Sequence, residues 1–110
     1  MAGIAPTIST HVLDTGAGMP AAGIRVTLAR LADDGAEIAL GEGVTDADGR
    51  VRALLPGPLE TGDHRLTFHL DDASSFFRRV TLELRIDDPT RSYHVPLLLA
   101  TFSMTTYRGS

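Results

Sequence analysis

The feature that most constrains this chain is a strict alternation of apolar and polar residues. In "RVTLELRI", Val80, Leu82, Leu84 and Ile86 fall on one side, and Arg79, Thr81, Glu83 and Arg85 on the other. Successive side chains of a strand point to opposite faces, so this spacing predicts a strand buried on one side and wet on the other. "HRLTFHL" repeats it with Leu66, Phe68 and Leu70 inward, "GIRVTLARL" with Ile24, Val26 and Leu28, and "TISTHVLD" with Ile8, Thr10 and Val12. Gly- and Pro-rich turn signals separate these runs: "DTGAGMPAAG", "ADDGAE", "DADGR", "LPGPLETGD" and "DDPTRS". In "DADGR", Gly49 can take the positive φ of a tight turn that a side chain would resist. Short strands punctuated this way predict an all-β sandwich. The one helix expected is a turn or two in "DDASSFF", with Asp71 or Asp72 as its N-cap.

"YHVPLLLATFSMTTY" departs from the pattern. Val95, Leu97 and Leu99 share one parity, yet Pro96, Leu98 and Ala100 make the other apolar as well. A strand apolar on both faces needs cover on both, and in a two-layer domain the second cover is expected to be another subunit. That predicts an oligomer, with dyad symmetry.

The 110 residues suit a single domain, 1–110, and 43% hydrophobic content predicts a folded core. Net charge is -4, and every cation other than histidine is an arginine. An acidic surface whose largest basic cluster is the pair Arg78–Arg79 argues against nucleic acid, whose phosphates need a basic patch. No apolar run approaches the roughly 20 residues of a membrane span, so no membrane role is expected. The start, "MAGIAPTIST", has no charged and apolar leader, and the expected location is the cytoplasm. Cysteine is absent, which removes disulfides, thiol catalysis and cysteine-based metal sites.

Four histidines remain as candidates for chemistry. His64 and His69 are an odd number of residues apart and face opposite sides of one strand, so they cannot share a ligand there. They are expected to be exposed strand or loop residues. His11 lies on the parity opposite Ile8, Thr10 and Val12, and His94 on the parity opposite Val95, Leu97 and Leu99. Both therefore point away from the core, and His94 sits beside the expected subunit interface. Two such imidazoles meeting in a cleft could act as general bases near neutral pH. Arg50, just after the Gly49 turn, is placed to reach into the same cleft. The polar tail "TTYRGS" follows a strand-like stretch and carries a phenol, a guanidinium and a hydroxyl. No nucleophile elbow, P-loop, zinc-protease or dinucleotide motif is present, and no carboxylates or histidines cluster at ligand spacing, so neither metal nor cofactor is expected.

"ISTHVLD", Gly18–Pro20, "DGR" at Asp48–Arg50, "YHVPLLL" and the ending Tyr107–Ser110 stand in an order that resembles the 5-hydroxyisourate hydrolases. These are the transthyretin-like enzymes of purine breakdown. The resemblance runs from Ile8 to Ser110. It implies a transthyretin-like sandwich of about eight strands, in two four-stranded sheets with one short helix. It also implies a homotetramer, a dimer of dimers, with sites at the dimer–dimer interface. The implied reaction is hydrolysis of 5-hydroxyisourate, a small ureide, to 2-oxo-4-hydroxy-4-carboxy-5-ureidoimidazoline by histidine-assisted water attack on a ring amide. The implied site is His11, Arg50, His94 and Ser110, with Tyr107, Arg108 and Gly109 binding substrate. Ser92, Ala100–Thr101 and Met104 depart from the pattern of many relatives. The competing expectation is a transthyretin-type carrier of a small ligand. Transthyretin proper lacks this histidine–arginine set and this tail.

Overall fold

The alternating segments become strands at the expected places. The computed structural model describes residues 5–109, which leaves the candidate Ser110 outside the described residues. The nine strands are β1 (Ile8–Asp14), β2 (Met19–Pro20), β3 (Arg25–Leu31), β4 (Glu37–Val44), β5 (Arg50–Val51), β6 (Gly62–His69), β7 (Arg79–Ile86), β8 (Tyr93–Leu99) and β9 (Met104–Thr106). One sheet has four strands in the order β4-β3-β6-β7. The other has five, β2-β1-β8-β9 with β5 also paired to β1. The sheet exceeds the expected four strands because two short pieces, β2 and β5, each two residues long, both pair with β1.

The core forms where the inward parities of the two sheets meet. Ile8, Val12, Val26, Leu28, Leu66, Phe68, Val95, Leu97 and Leu99 are all buried there. Fully burying a side chain such as Phe68 contributes about 1.5–3 kcal/mol. Thr10 shares the inward parity of β1 and is buried too, its hydroxyl donating to the Val95 carbonyl at 2.6 Å. Tyr93 is buried at the start of β8, and its hydroxyl stands 3.1 Å from Asp87 Oδ1, the Asp88 carbonyl and the Asp88 N–H. This pins the β7–β8 connection immediately before His94.

Two expectations are corrected. "DDASSFF" forms turns rather than a helix: the Leu70 carbonyl accepts from the N–H groups of Ala73 and Ser74. The Ser74 hydroxyl then accepts from the N–H groups of Phe76 and Phe77, so a side chain takes donors that a continuing helix would have given to its backbone. His64 is not exposed. It is 0% accessible, on the inward parity with Leu66 and Phe68, with Nδ1 3.0 Å from the Gly62 carbonyl. His69 does face the opposite side, half-buried, within 3.0 Å of the Thr27 hydroxyl. No helix among the described residues is long and apolar enough to cross a membrane.

Candidate active site

The candidate residues gather on the outer face of the five-stranded sheet, and strand register puts them there. β1 and β8 run parallel with Ser9 opposite His94 and His11 opposite Pro96. β5 pairs with the other edge of β1, setting Arg50 directly across from His11. His11, Arg50 and His94 are each half-buried.

Arg50 owes its position to the preceding turn. Asp46 Oδ1 accepts from the N–H groups of Asp48 and Arg50, both at 2.9 Å. The Asp46 N–H donates to the Arg50 carbonyl at 3.0 Å, and Gly49 closes the loop with φ 78°. A side chain at 49 would also strike the Val12 carbonyl, so only glycine lets this turn lie on β1.

The same turn aims the Asp48 carbonyl at His11, whose Nε2 is 2.8 Å away. A carbonyl only accepts, so Nε2 carries the proton and Nδ1 keeps the lone pair. His94 is held differently, with Nδ1 2.9 Å from the Ser9 hydroxyl. Burial lowers the His94 pKa from the ordinary histidine value, and the nearby Arg50 guanidinium, then the neighbouring His11, lower it further. The ring is therefore neutral at neutral pH.

The tail closes on His94 from the far side. The Gly109 N–H donates to the His94 carbonyl at 2.7 Å, extending the β8–β9 pairing. A Cβ built on Gly109 would lie 2.8 Å from His94 Cδ2, so the tail passes this ring only because residue 109 has no side chain. Tyr107 and Arg108 turn elsewhere. They line a hollow of about 610 Å3 at the open edge of the sandwich, with Leu84, Ile86 and Asp87 of the β7 side opposite them. Within one chain, His11, Arg50 and His94 are thus brought together with Gly109, while Tyr107 and Arg108 line the separate hollow with Tyr93 and Val95.

The departures from the family pattern have local explanations. The Ser92 hydroxyl accepts from the Thr7 N–H at 3.1 Å, tying the chain entering β1 to the start of β8 rather than touching the His94 ring. Ala100 donates to the Ser103 carbonyl at 2.9 Å, so the β8–β9 turn stays hydrogen-bonded without proline. Met104 packs against the core. Two contributors escaped the sequence reading, Ser9 and Asp46. Ser9 shares the outward parity of His11, and Asp46 opens "DADGR" with the side chain that most often hydrogen-bonds its own turn, so both left a signal. Among the described residues, no group of three or more histidine or carboxylate side chains could hold a metal ion.

A two-sheet β-sandwich carrying imidazoles and a guanidinium on one outer face defines a transthyretin-like architecture with a polar site. The family model described as HIUase/Transthyretin family matches residues 8–109, and the chain belongs to that family. It is 42% identical to a 5-hydroxyisourate hydrolase of Deinococcus radiodurans over 96% of this chain and 97% of the relative. Among solved structures, 5-hydroxyisourate hydrolase of Klebsiella pneumoniae superposes with a TM-score of 0.80 at 35% identity, over 94% of this chain and 99% of that one. Sea bream transthyretin in complex with thyroxine superposes with a TM-score of 0.82 at 25% identity, over 93% of each chain.

Proposed function

We propose that this protein hydrolyses 5-hydroxyisourate to 2-oxo-4-hydroxy-4-carboxy-5-ureidoimidazoline. The observation that carries the reading is the convergence of His11, Arg50 and His94 on one sheet face, with the tail against His94. The 42% identity to a protein named for this activity supports it. His11 is the base: its Nδ1 lone pair takes a proton from water as the water oxygen bonds to a ring amide carbon. The electron pair of the carbonyl moves onto oxygen, and that oxyanion needs fixed donors. Arg50 and the neutral Nε2–H of His94 supply them, since a guanidinium is always charged and forks toward planar oxygens. Collapse of the intermediate breaks the C–N bond, and His11 returns its proton to the leaving nitrogen. Tyr107, Arg108 and Gly109 bind the ureide, and Ser110 orients water or substrate without forming an acyl-enzyme.

In one chain His11, Arg50 and His94 are only half-buried, which supports a site completed by a second subunit. We assign a homotetramer, two dimers back to back, with the sites between them. The outward, half-buried Leu98 of β8 favours such packing, although Pro96 of the same parity is already buried within the chain. So do β7 and β9, which are sheet-edge strands flanking the 610 Å3 hollow, because an open strand edge is a template for pairing with another chain.

The likeness to a thyroxine-binding transthyretin makes a carrier the competing reading, and one experiment separates them. Urate oxidase and urate generate 5-hydroxyisourate in a cuvette, and its ultraviolet absorbance is followed. The protein is expected to speed the decay, and His94→Ala to abolish most of the gain. Decay at the spontaneous rate with folded protein would leave the carrier.

A further inference from the structure

Two identical side chains are asked here to do opposite things, one to accept a proton and one to donate a hydrogen bond. An imidazole's free nitrogen takes whichever character the bond at its other nitrogen leaves it. For His11 that bond is unambiguous, because the Asp48 carbonyl requires a proton on Nε2. For His94 the partner is a hydroxyl, which can give or receive.

We propose that Ser9 is a positioning residue that donates its hydroxyl proton to His94 Nδ1, fixing His94 with its proton on Nε2 as a neutral hydrogen-bond donor to the substrate. The inference rests on the hydrolase reading for its catalytic consequence. It rests on the geometry alone for the direction of the bond. Among the described residues, His94 Nδ1 is the one hydrogen-bond partner of the Ser9 hydroxyl. If the hydroxyl accepted from Nδ1–H instead, its own proton would have no protein acceptor there. Donation satisfies both groups with a single proton. The arrangement is also fixed by the backbone, since Ser9 and His94 are direct partners in the parallel β1–β8 ladder. Ser9 lies two residues before His11 on the same face, so one strand carries both the base and the group that keeps the second histidine from becoming another base.

Ser9→Ala, Ser9→Val and Ser9→Thr test this together, because Thr keeps the hydroxyl and Val has nearly its shape without it. The first readout needs no substrate: titration of the His94 ring protons by NMR. A bond donated to Nδ1 stabilises the neutral ring. Its removal in the Ala and Val variants is expected to raise the His94 pKa by about 0.5, while the Thr variant titrates like the parent. The charged and titratable groups acting on the ring, Arg50 on β5 and His11 on β1, are the same in all three. The second readout is turnover: kcat is expected to fall about tenfold in the Ala and Val variants with KM within about threefold, and to be retained in the Thr variant. A His94 pKa that falls or stays unchanged in the Ala and Val variants would overturn the donation. So would rescue by Val as complete as by Thr. A parent protein that fails to speed 5-hydroxyisourate decay would remove the hydrolase reading but leave the NMR result to decide the bond by itself.

Discussion

His11→Ala removes the lone pair that the Asp48 carbonyl holds in register. Turnover is expected to fall by about 10²–10⁴, the usual contribution of a positioned general base. The oligomer should persist, because the ring is half-buried on an outer face rather than in the core. Parent-like rates would take His11 out of the mechanism. The pH response is set in part by His94, whose protonation at Nδ1 would displace the bond donated by Ser9 and whose pKa lies below the ordinary histidine value. Its contribution to the acid loss of activity is therefore expected below pH 6.5, the unperturbed value. Stability moves in the same direction. The unfolded chain binds protons at His94 and His69 more readily than the folded one, where burial first and neighbouring arginines next depress both. Stability from these two groups is thus whole above about 6.5 and declines as pH falls through their folded values. A thermal melt series from pH 8 to 5 checks this. The outward placement of His11 and His94 was legible from alternation alone. The burial of His64 was equally legible, since it shares its parity with Leu66 and Phe68, but a histidine's polarity outweighed the pattern. What no spacing rule contained was the second bond at each ring, because that depends on which residues a distant strand or turn presents.

At the scale of the element, the 46–50 turn and the tail do most of the positioning. The N–H of Arg50 first, with that of Asp48, hold the Asp46 carboxyl below its ordinary pKa against a smaller opposing effect of burial. This turn keeps its full contribution above the ordinary carboxylate range and loosens as pH falls through the folded value. Asp46→Ala is expected to cost about tenfold in kcat/KM, because it releases Arg50 and the acceptor of His11 together, and small displacements of reacting groups are expensive. Asp46→Asn keeps an acceptor oxygen and should cost less. Gly109→Ala should also lower kcat/KM about tenfold, since its Cβ would meet His94 Cδ2 at 2.8 Å and either the ring or the tail must shift. Steady-state kinetics on the three variants measure both effects, and unchanged values would mean that neither element positions the site. The turn was readable in "DADGR" because Asp and Gly each have a local reason to be there. The helix expected in "DDASSFF" was not realised, because Ser74 offers its hydroxyl to the very N–H groups a helix needs, and polar residues that favour an N-cap favour such turns equally.

For the whole molecule, the expectation to test is four copies. Light scattering behind size exclusion should return about four times the 11.7 kDa chain mass. Leu98→Glu, which sets a carboxylate on the outward face of β8, should dissociate the assembly and depress turnover together. A fully active monomer would refute the shared site. The two-sheet sandwich was legible because β1, β3, β6 and β7 keep period two, whereas the pairing of first and penultimate strands was not, since alternation says which face is buried but not which strand lies alongside. That pairing has a consequence for how the enzyme comes into being. Ser9 and His94 are 85 positions apart, and β1 with β8 is the one parallel ladder among the described strands. Such a closure is slow to find and cannot begin until nearly the whole chain has been synthesised. A nascent chain still lacking β8 has His11 and Arg50 but neither His94 nor the β1–β8 ladder that sets it beside Ser9. Activity would then appear in a single step at the end of refolding, which makes turnover itself a reporter of completed topology.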